Sequence, residues 1–146
     1  WVLDLASGRL ERATTARNGH DAIWLPDGRG LLFLSDESGV IGLRRTMLGV
    51  STPAESLLTG PLVGAPSDWL ADGRTVLTSG LGGGGVLVVS LVGNGGAGPM
   101  TPAITGTAND VFPTVSADGR WLAYASARSG RFEVYVRPVD GGPDVR

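Results

Sequence analysis

The chain holds a single histidine, His20, and it stands directly before Asp21. An imidazole beside a carboxylate is the base-and-orienter half of a nucleophilic triad. The third member is missing, because no G-x-S-x-G elbow occurs anywhere in the sequence. His20 therefore reads as a loop residue, and no catalytic residue is assigned. Three aspartates, Asp27, Asp72 and Asp118, recur in like surroundings and could ring a pore to hold a cation. Oxygen-rich Ca²⁺ sites draw several ligands from one local loop, and no D-x-D-x-D-G loop is present. Gly82–Gly85 is a glycine run, but the Lys-Ser/Thr that a phosphate loop needs does not follow it. With no cysteine there is no disulfide and no thiolate metal site. No metal and no cofactor is expected.

What the three aspartates share is turn chemistry. Each lies in a tetrapeptide: Pro26-Asp27-Gly28-Arg29, Ala71-Asp72-Gly73-Arg74 and Ala117-Asp118-Gly119-Arg120. The aspartate can bond the backbone ahead of it, and glycine supplies positive φ. Asp27, Gly28, Asp72, Gly73, Asp118 and Gly119 are thus structural turn residues, with the arginines as solvated flanks. The aspartates are spaced by 45 and then 46 residues. Each turn sits between apolar runs of strand length, and no window carries apolar residues at three-and-four spacing. A period near 45 with several short strands per unit indicates β-propeller blades.

The elements follow in order. Trp1–Leu5 and Arg9–Thr15 read as strands joined at Ala6-Ser7-Gly8, the second polar and edge-like, and Arg17–His20 as a loop. The first full blade has strands at Asp21–Leu25, Leu31–Leu34, Ile41–Leu48 and Glu55–Thr59. The second has Ser67–Leu70, Thr75–Ser79, Val86–Val92 and Met100–Thr105, with a flexible loop at Gly80–Gly85 and a turn or small disordered loop at Gly93–Pro99. The third has Phe112–Ser116, Trp121–Ser126 and Glu133–Val139, and its fourth strand would begin near Asp144. The run Leu31-Leu32-Phe33-Leu34 is apolar on both strand faces, as burial on both sides requires. Trp24, Trp69 and Val115 occupy one equivalent position, which reads as packing between blades. The expected fold is all-β: about three blades of four antiparallel strands, half of a six-bladed ring. Residues 1–20 end a preceding blade, 21–64 form blade one, 65–110 blade two, and 111–146 an incomplete blade three.

Composition narrows the function classes. The 146 residues carry a net charge of −2 with no basic stripe, so nucleic acid is not an expected partner. All 12 basic residues are arginine, a codon bias and not a binding signal. No apolar run approaches the roughly 20 residues of a membrane helix, so membrane insertion is not expected. The chain opens at Trp1 inside a strand pattern. Its natural N-terminus is therefore expected upstream, and missing targeting signals carry no weight.

The segment Phe112-Pro113-Thr114-Val115-Ser116-Ala117-Asp118-Gly119-Arg120-Trp121-Leu122-Ala123-Tyr124-Ala125-Ser126, with Glu133-Val134-Tyr135-Val136, resembles the repeat of TolB-type β-propellers, the PD40 or WD40-like repeat. That pattern runs roughly P-x-W-S-P-D-G-x-x-I/L-A-F/Y-x-S, then I/V-Y-V. Blade three departs from it at Val115 and Ala117; blade one keeps Trp24, Pro26, Asp27 and Gly28; blade two keeps Trp69, Asp72 and Gly73. True WD40 repeats fit less well, since no Trp-Asp closes a strand. Such repeats occur in the TolB component of the Tol–Pal envelope system, in prolyl-oligopeptidase-like peptidases and in extracytoplasmic parts of bacterial Ser/Thr kinases. The resemblance implies a non-enzymatic module that binds a protein or peptide, as a scaffold or sensor part of a larger bacterial protein. The alternative is the propeller of a serine peptidase whose catalytic domain lies outside this chain. A periplasmic or extracytoplasmic setting is favoured by the resemblance alone.

Three blades cannot close a ring, since propellers close with about four to eight. Trp1–Arg12 shares the phase of Tyr135–Arg146, so the first strand pair of one copy could complete blade three of another. A twofold homodimer would then form six blades. Alternatively, the chain is half of a six-bladed domain. Light scattering after size exclusion decides between the two: the mass of a dimer is expected if the chain alone suffices, and a well-folded monomer at every accessible concentration would defeat the dimer.

Overall fold

Alternating or doubly apolar runs punctuated by Asp-Gly turns leave the backbone one economical solution, an antiparallel meander. The computed structural model describes residues 1–37, 39–60, 64–78, 85–92, 96–104 and 109–145. Among the described residues it contains no helix, and hence none long and apolar enough to cross a membrane. A first pair is formed by β1 (Val2–Leu3) and β2 (Leu10–Glu11). A four-stranded sheet follows: β3 (His20–Trp24), β4 (Gly30–Glu37), β5 (Val40–Met47) and β6 (Glu55–Thr59). A second four-stranded sheet has β7 (Pro66–Trp69), β8 (Thr75–Thr78), β9 (Val86–Val92) and β10 (Gly96–Ile104). The last has β11 (Asp110–Val115), β12 (Trp121–Ser126) and β13 (Glu133–Pro138). Each strand pairs antiparallel with the next in its sheet, with no crossover.

The turns are built as their residues dictate. Gly28, Gly73 and Gly119 have φ of 69°, 82° and 71°. The Oδ1 of Asp27, Asp72 and Asp118 accepts the backbone N–H two residues on, at 2.9, 3.1 and 3.1 Å. Each glycine N–H returns to the carbonyl three residues back, at Leu25, Leu70 and Ser116.

The core lies between the sheets. Leu32, Leu34, Leu43 and Leu57 pack together, with Ala65 and Trp69 of the following unit against them. Leu70, Val76, Val86 and Ile104 form one cluster with Leu122, Tyr124 and Tyr135 of the next sheet. Burying each large apolar side chain contributes about 1.5–3 kcal/mol. The apolar run in β4 is used on both faces. Leu32 and Leu34 join the first cluster, while Phe33 is 2% exposed and lies against Gly19.

Polar bonds tie the innermost strands of neighbouring sheets. The Trp69 indole N–H donates to the Trp24 carbonyl at 2.7 Å. Val115, in the equivalent place, has no side-chain donor, and a carboxylate takes over. Asp68 Oδ2 accepts the Val115 N–H at 2.7 Å and the Thr114 hydroxyl at 3.0 Å, while its Oδ1 accepts the Trp69 N–H at 2.8 Å. Each innermost strand also shifts register once, at His20/Ile23, Pro66/Asp68 and Val111/Thr114. At two of these shifts a non-glycine residue has positive φ: Asp21 at 50° and Phe112 at 54°.

Several elements differ from the sequence reading. Of Arg9–Thr15, only Leu10–Glu11 pairs; beyond it, Arg12 Nε bonds the Thr14 carbonyl and the Thr14 hydroxyl accepts the Ala16 N–H, replacing a ladder with local bonds. His20 is not in a loop but opens β3, opposite Leu34. Gly96–Pro99 is not a turn but part of β10, the outer strand of its sheet, where glycine and proline are tolerated. The fourth strand of the last sheet is reduced to one bridge, Val136 with Val145, closed by bonds of 2.8 and 2.7 Å. Most of the loop expected at Gly80–Gly85 lies outside the described residues, as do Gly93–Gly95 of the turn or loop expected at Gly93–Pro99.

An added Cβ at Gly119 would meet Ala71 Cβ at 3.1 Å, whereas one at Gly28 would meet nothing within 4 Å. Gly119→Val should therefore cost about 1–3 kcal/mol of stability from backbone strain, plus a contact penalty. Gly28→Val should cost less. Thermal melts of both variants check this, and a Gly119→Val protein that melts like the parent would refute it.

Candidate binding groove

The three turns build a site out of the same residues that fold them. In the second and third turns the carboxylate works twice. Its Oδ1 holds the turn, and its Oδ2 accepts the arginine Nε, at 2.7 Å for Asp72–Arg74 and 2.8 Å for Asp118–Arg120. Bonding through Nε leaves the terminal nitrogens of both guanidiniums without a partner among the described residues. Asp118 is held most firmly: the Ser116 hydroxyl donates to its Oδ1 at 2.5 Å. That hydroxyl, followed by the Arg120 N–H and guanidinium, lowers the Asp118 pKa to about 2. The Asp72 pKa is also lowered, chiefly by the Arg74 N–H.

The contact of Gly119 with Ala71 sets these two turns side by side. Between them opens a groove of about 390 Å³, lined by Arg74, Gly119, Arg120, Trp121, Pro138, Val139 and Asp140. It adjoins a second hollow of about 260 Å³ along Thr101, Pro102, Ala103 and Leu122, with Arg74, Pro138, Val139 and Asp140 common to both. Trp121, the first residue of β12, is 40% exposed. Arg137 is engaged elsewhere, donating to the carbonyls of Ala103 and Gly142 at 2.9 and 3.3 Å.

The other expected site residues fall outside this groove. His20 Nδ1 lies 2.8 Å from Asp21 Oδ2 on an exposed stretch, and among the described residues no hydroxyl or thiol bonds the imidazole. Asp27, Asp72 and Asp118 bond within their own turns, and among the described residues no three His, Asp or Glu gather as a metal site would need. Val115 and Trp69 pack against the two inter-sheet clusters, but Trp24 is half-exposed and joins neither; its contribution is its carbonyl.

A further polar cluster is closed on itself. The Arg128 guanidinium sits 4.1 Å from the Tyr135 ring centre, bonds the Tyr124 hydroxyl, and donates to Asp144 Oδ2 at 2.5 Å. Burial, then Asp144, pushes the Tyr124 pKa up to about 12. This clasp fastens the C-terminal tail beside β13. The groove itself was not read from the sequence. Its signal was the arginine that follows each Asp-Gly.

Because the folded pKa of Asp118 lies below its ordinary 3.8, its turn contributes stability above that value and loses it as pH falls towards about 2. A carboxyl ¹³C titration should place the Asp118 midpoint near 2, and Ser116→Ala should raise it. A midpoint at the ordinary value in the parent protein would refute the arrangement.

No protein-family profile matches the sequence, and neither does any curated protein. Solved structures match by shape. TolB of Agrobacterium tumefaciens superposes with a TM-score of 0.74 at 21% identity, covering 99% of this chain and 52% of that one. TolB of Acinetobacter baumannii gives 0.73 at 19%, covering 88% and 31%. The chain thus spans about half the length of the first and a third of the second. At such identities the likeness concerns the fold, and it agrees with the meander of stacked antiparallel sheets: the chain has the fold of a TolB-type β-propeller.

Proposed function

We propose that the chain is a non-enzymatic propeller module that binds a protein or peptide, as a scaffold or extracytoplasmic sensor part of a larger bacterial protein. The observation that carries this reading is the open groove between the Asp72 and Asp118 turns, where two guanidiniums and an indole face solvent on a rigid hairpin frame. Rigid turns presenting Arg and Trp suit protein recognition, because these side chains dominate binding hot spots.

The blades proposed are residues 21–64, 65–110 and 111–146, after an end of a preceding blade in 1–20. Apolar side chains stand exposed at both ends of the array, Leu3, Leu5 and Leu10 in the first pair and Phe132, Val134 and Val145 in the last sheet. These surfaces suit docking of further blades, from a second copy or from flanking sequence. A strand donated to the last sheet would have to replace the Val136–Val145 bridge and release the tail from its Arg128–Asp144 ion pair.

A random peptide library displayed on phage and selected against the folded chain should enrich sequences that bind saturably in calorimetry and stay uncleaved. Failure to enrich any binder, or turnover of a bound peptide abolished by His20→Ala, would overturn the reading.

A further inference from the structure

The groove carries chemistry that the binding-module reading leaves unspecified. Arg74 and Arg120 are both oriented by local ion pairs. Each is anchored through Nε to a carboxylate two residues away, so part of the cost of ordering its side chain is met before any ligand arrives. A guanidinium held in this way presents a planar fork of N–H donors, and a carboxylate is its geometric complement. Two guanidiniums here stand beside three carboxylates, those of Asp72, Asp118 and Asp140. Such a balance repels a polyanion, so nucleic acid and strongly acidic tracts are poor occupants. A single acid can still be gripped by directed bonds. The remaining wall is apolar: Trp121, Pro138 and Val139.

We infer that this groove takes an extended peptide segment bearing one carboxylate beside an apolar side chain. Arg74 and Arg120 bind the acid, Trp121 and Val139 hold the apolar side chain, and Asp140 at the rim discriminates against a second acid. The assignment rests on the binding-module reading and deepens it.

The test is calorimetric titration of the full chain with the acetylated, amidated pentapeptide Ala-Leu-Glu-Leu-Ala and with its glutamine counterpart. The glutamate peptide should bind about tenfold more tightly, the lower end for a hydrogen bond to a charged group. Arg74→Gln and Arg120→Gln should each bring it to the glutamine level with unchanged far-ultraviolet circular dichroism. Asp140→Asn should tighten binding. The comparison of the two peptides on the parent protein needs no variant, so it stands even if one fails to fold. Equal affinity for the two peptides, indifference to both arginine changes, or displacement by inorganic phosphate at the peptide's own concentration would each overturn the inference. If library-selected peptides bind but the glutamate peptide does not, the acid preference fails and the binding module survives. If neither binds, both fail.

Discussion

The sheets of this chain shield one another's apolar side chains from water, since both large clusters join residues of successive units. Along β4 the alternation of a strand sends Leu32 and Leu34 to one side and Phe33 to the other, and all three are buried. Leu43, Val76 and Val86 are wholly buried as well, in layers shared between successive units. The stacking of sheets is therefore the condition under which any one sheet holds together. Turn geometry, register shifts and polar ties are adjustments that let flat-sided elements approach closely enough to share a core.

Within that frame the Asp-Gly-Arg turn does two jobs with one carboxylate. One oxygen caps the backbone of the turn, and the other fixes the direction of the arginine. Local stability and the shape of the groove are thereby coupled. A change that frees the aspartate loosens the hairpin and releases the guanidinium together. This coupling explains how an array built for packing presents a defined polar surface with no dedicated loop. The Arg128 clasp is the contrasting case: its donors are spent on Ser126, Asp144 and Tyr124, and its flat face on Tyr135.

The parts of the structure that were legible in the sequence are the local ones. Asp27-Gly28, Asp72-Gly73 and Asp118-Gly119 carry their own instructions, because φ preference and the Asx bond act within four residues. Strands such as Glu55–Thr59, Val86–Val92 and Trp121–Ser126 follow from runs bounded by turn and loop residues, an Asp-Gly turn only in the last case. What escaped was set between units. The Asp68 bonds to Thr114 and Val115 join residues 46 and 47 positions apart. No local pattern marks Asp68 as different from any exposed aspartate. The exposure of Trp24 likewise depends on what covers the first sheet, whereas Trp69 in the same phase is packed against Leu32 and its neighbours. The groove is of this kind too, since Arg74 and Trp121 meet only after two hairpins lie side by side.

The Asp68 bond has a bearing on assembly as well. Repeated units with similar apolar faces are nearly interchangeable, and hydrophobic contact is a poor judge of which belongs next to which. In the phase of Asp68 the first unit has Ile23 and the third has Thr114. Among the described residues, only the second unit offers a carboxylate to the backbone of the unit after it. A third unit seated against the first would find an isoleucine where its Val115 N–H has the Asp68 carboxylate as acceptor, and the bond would be lost. One charged side chain thus serves as an address written into the array, fixing the order of otherwise similar neighbours as they come together.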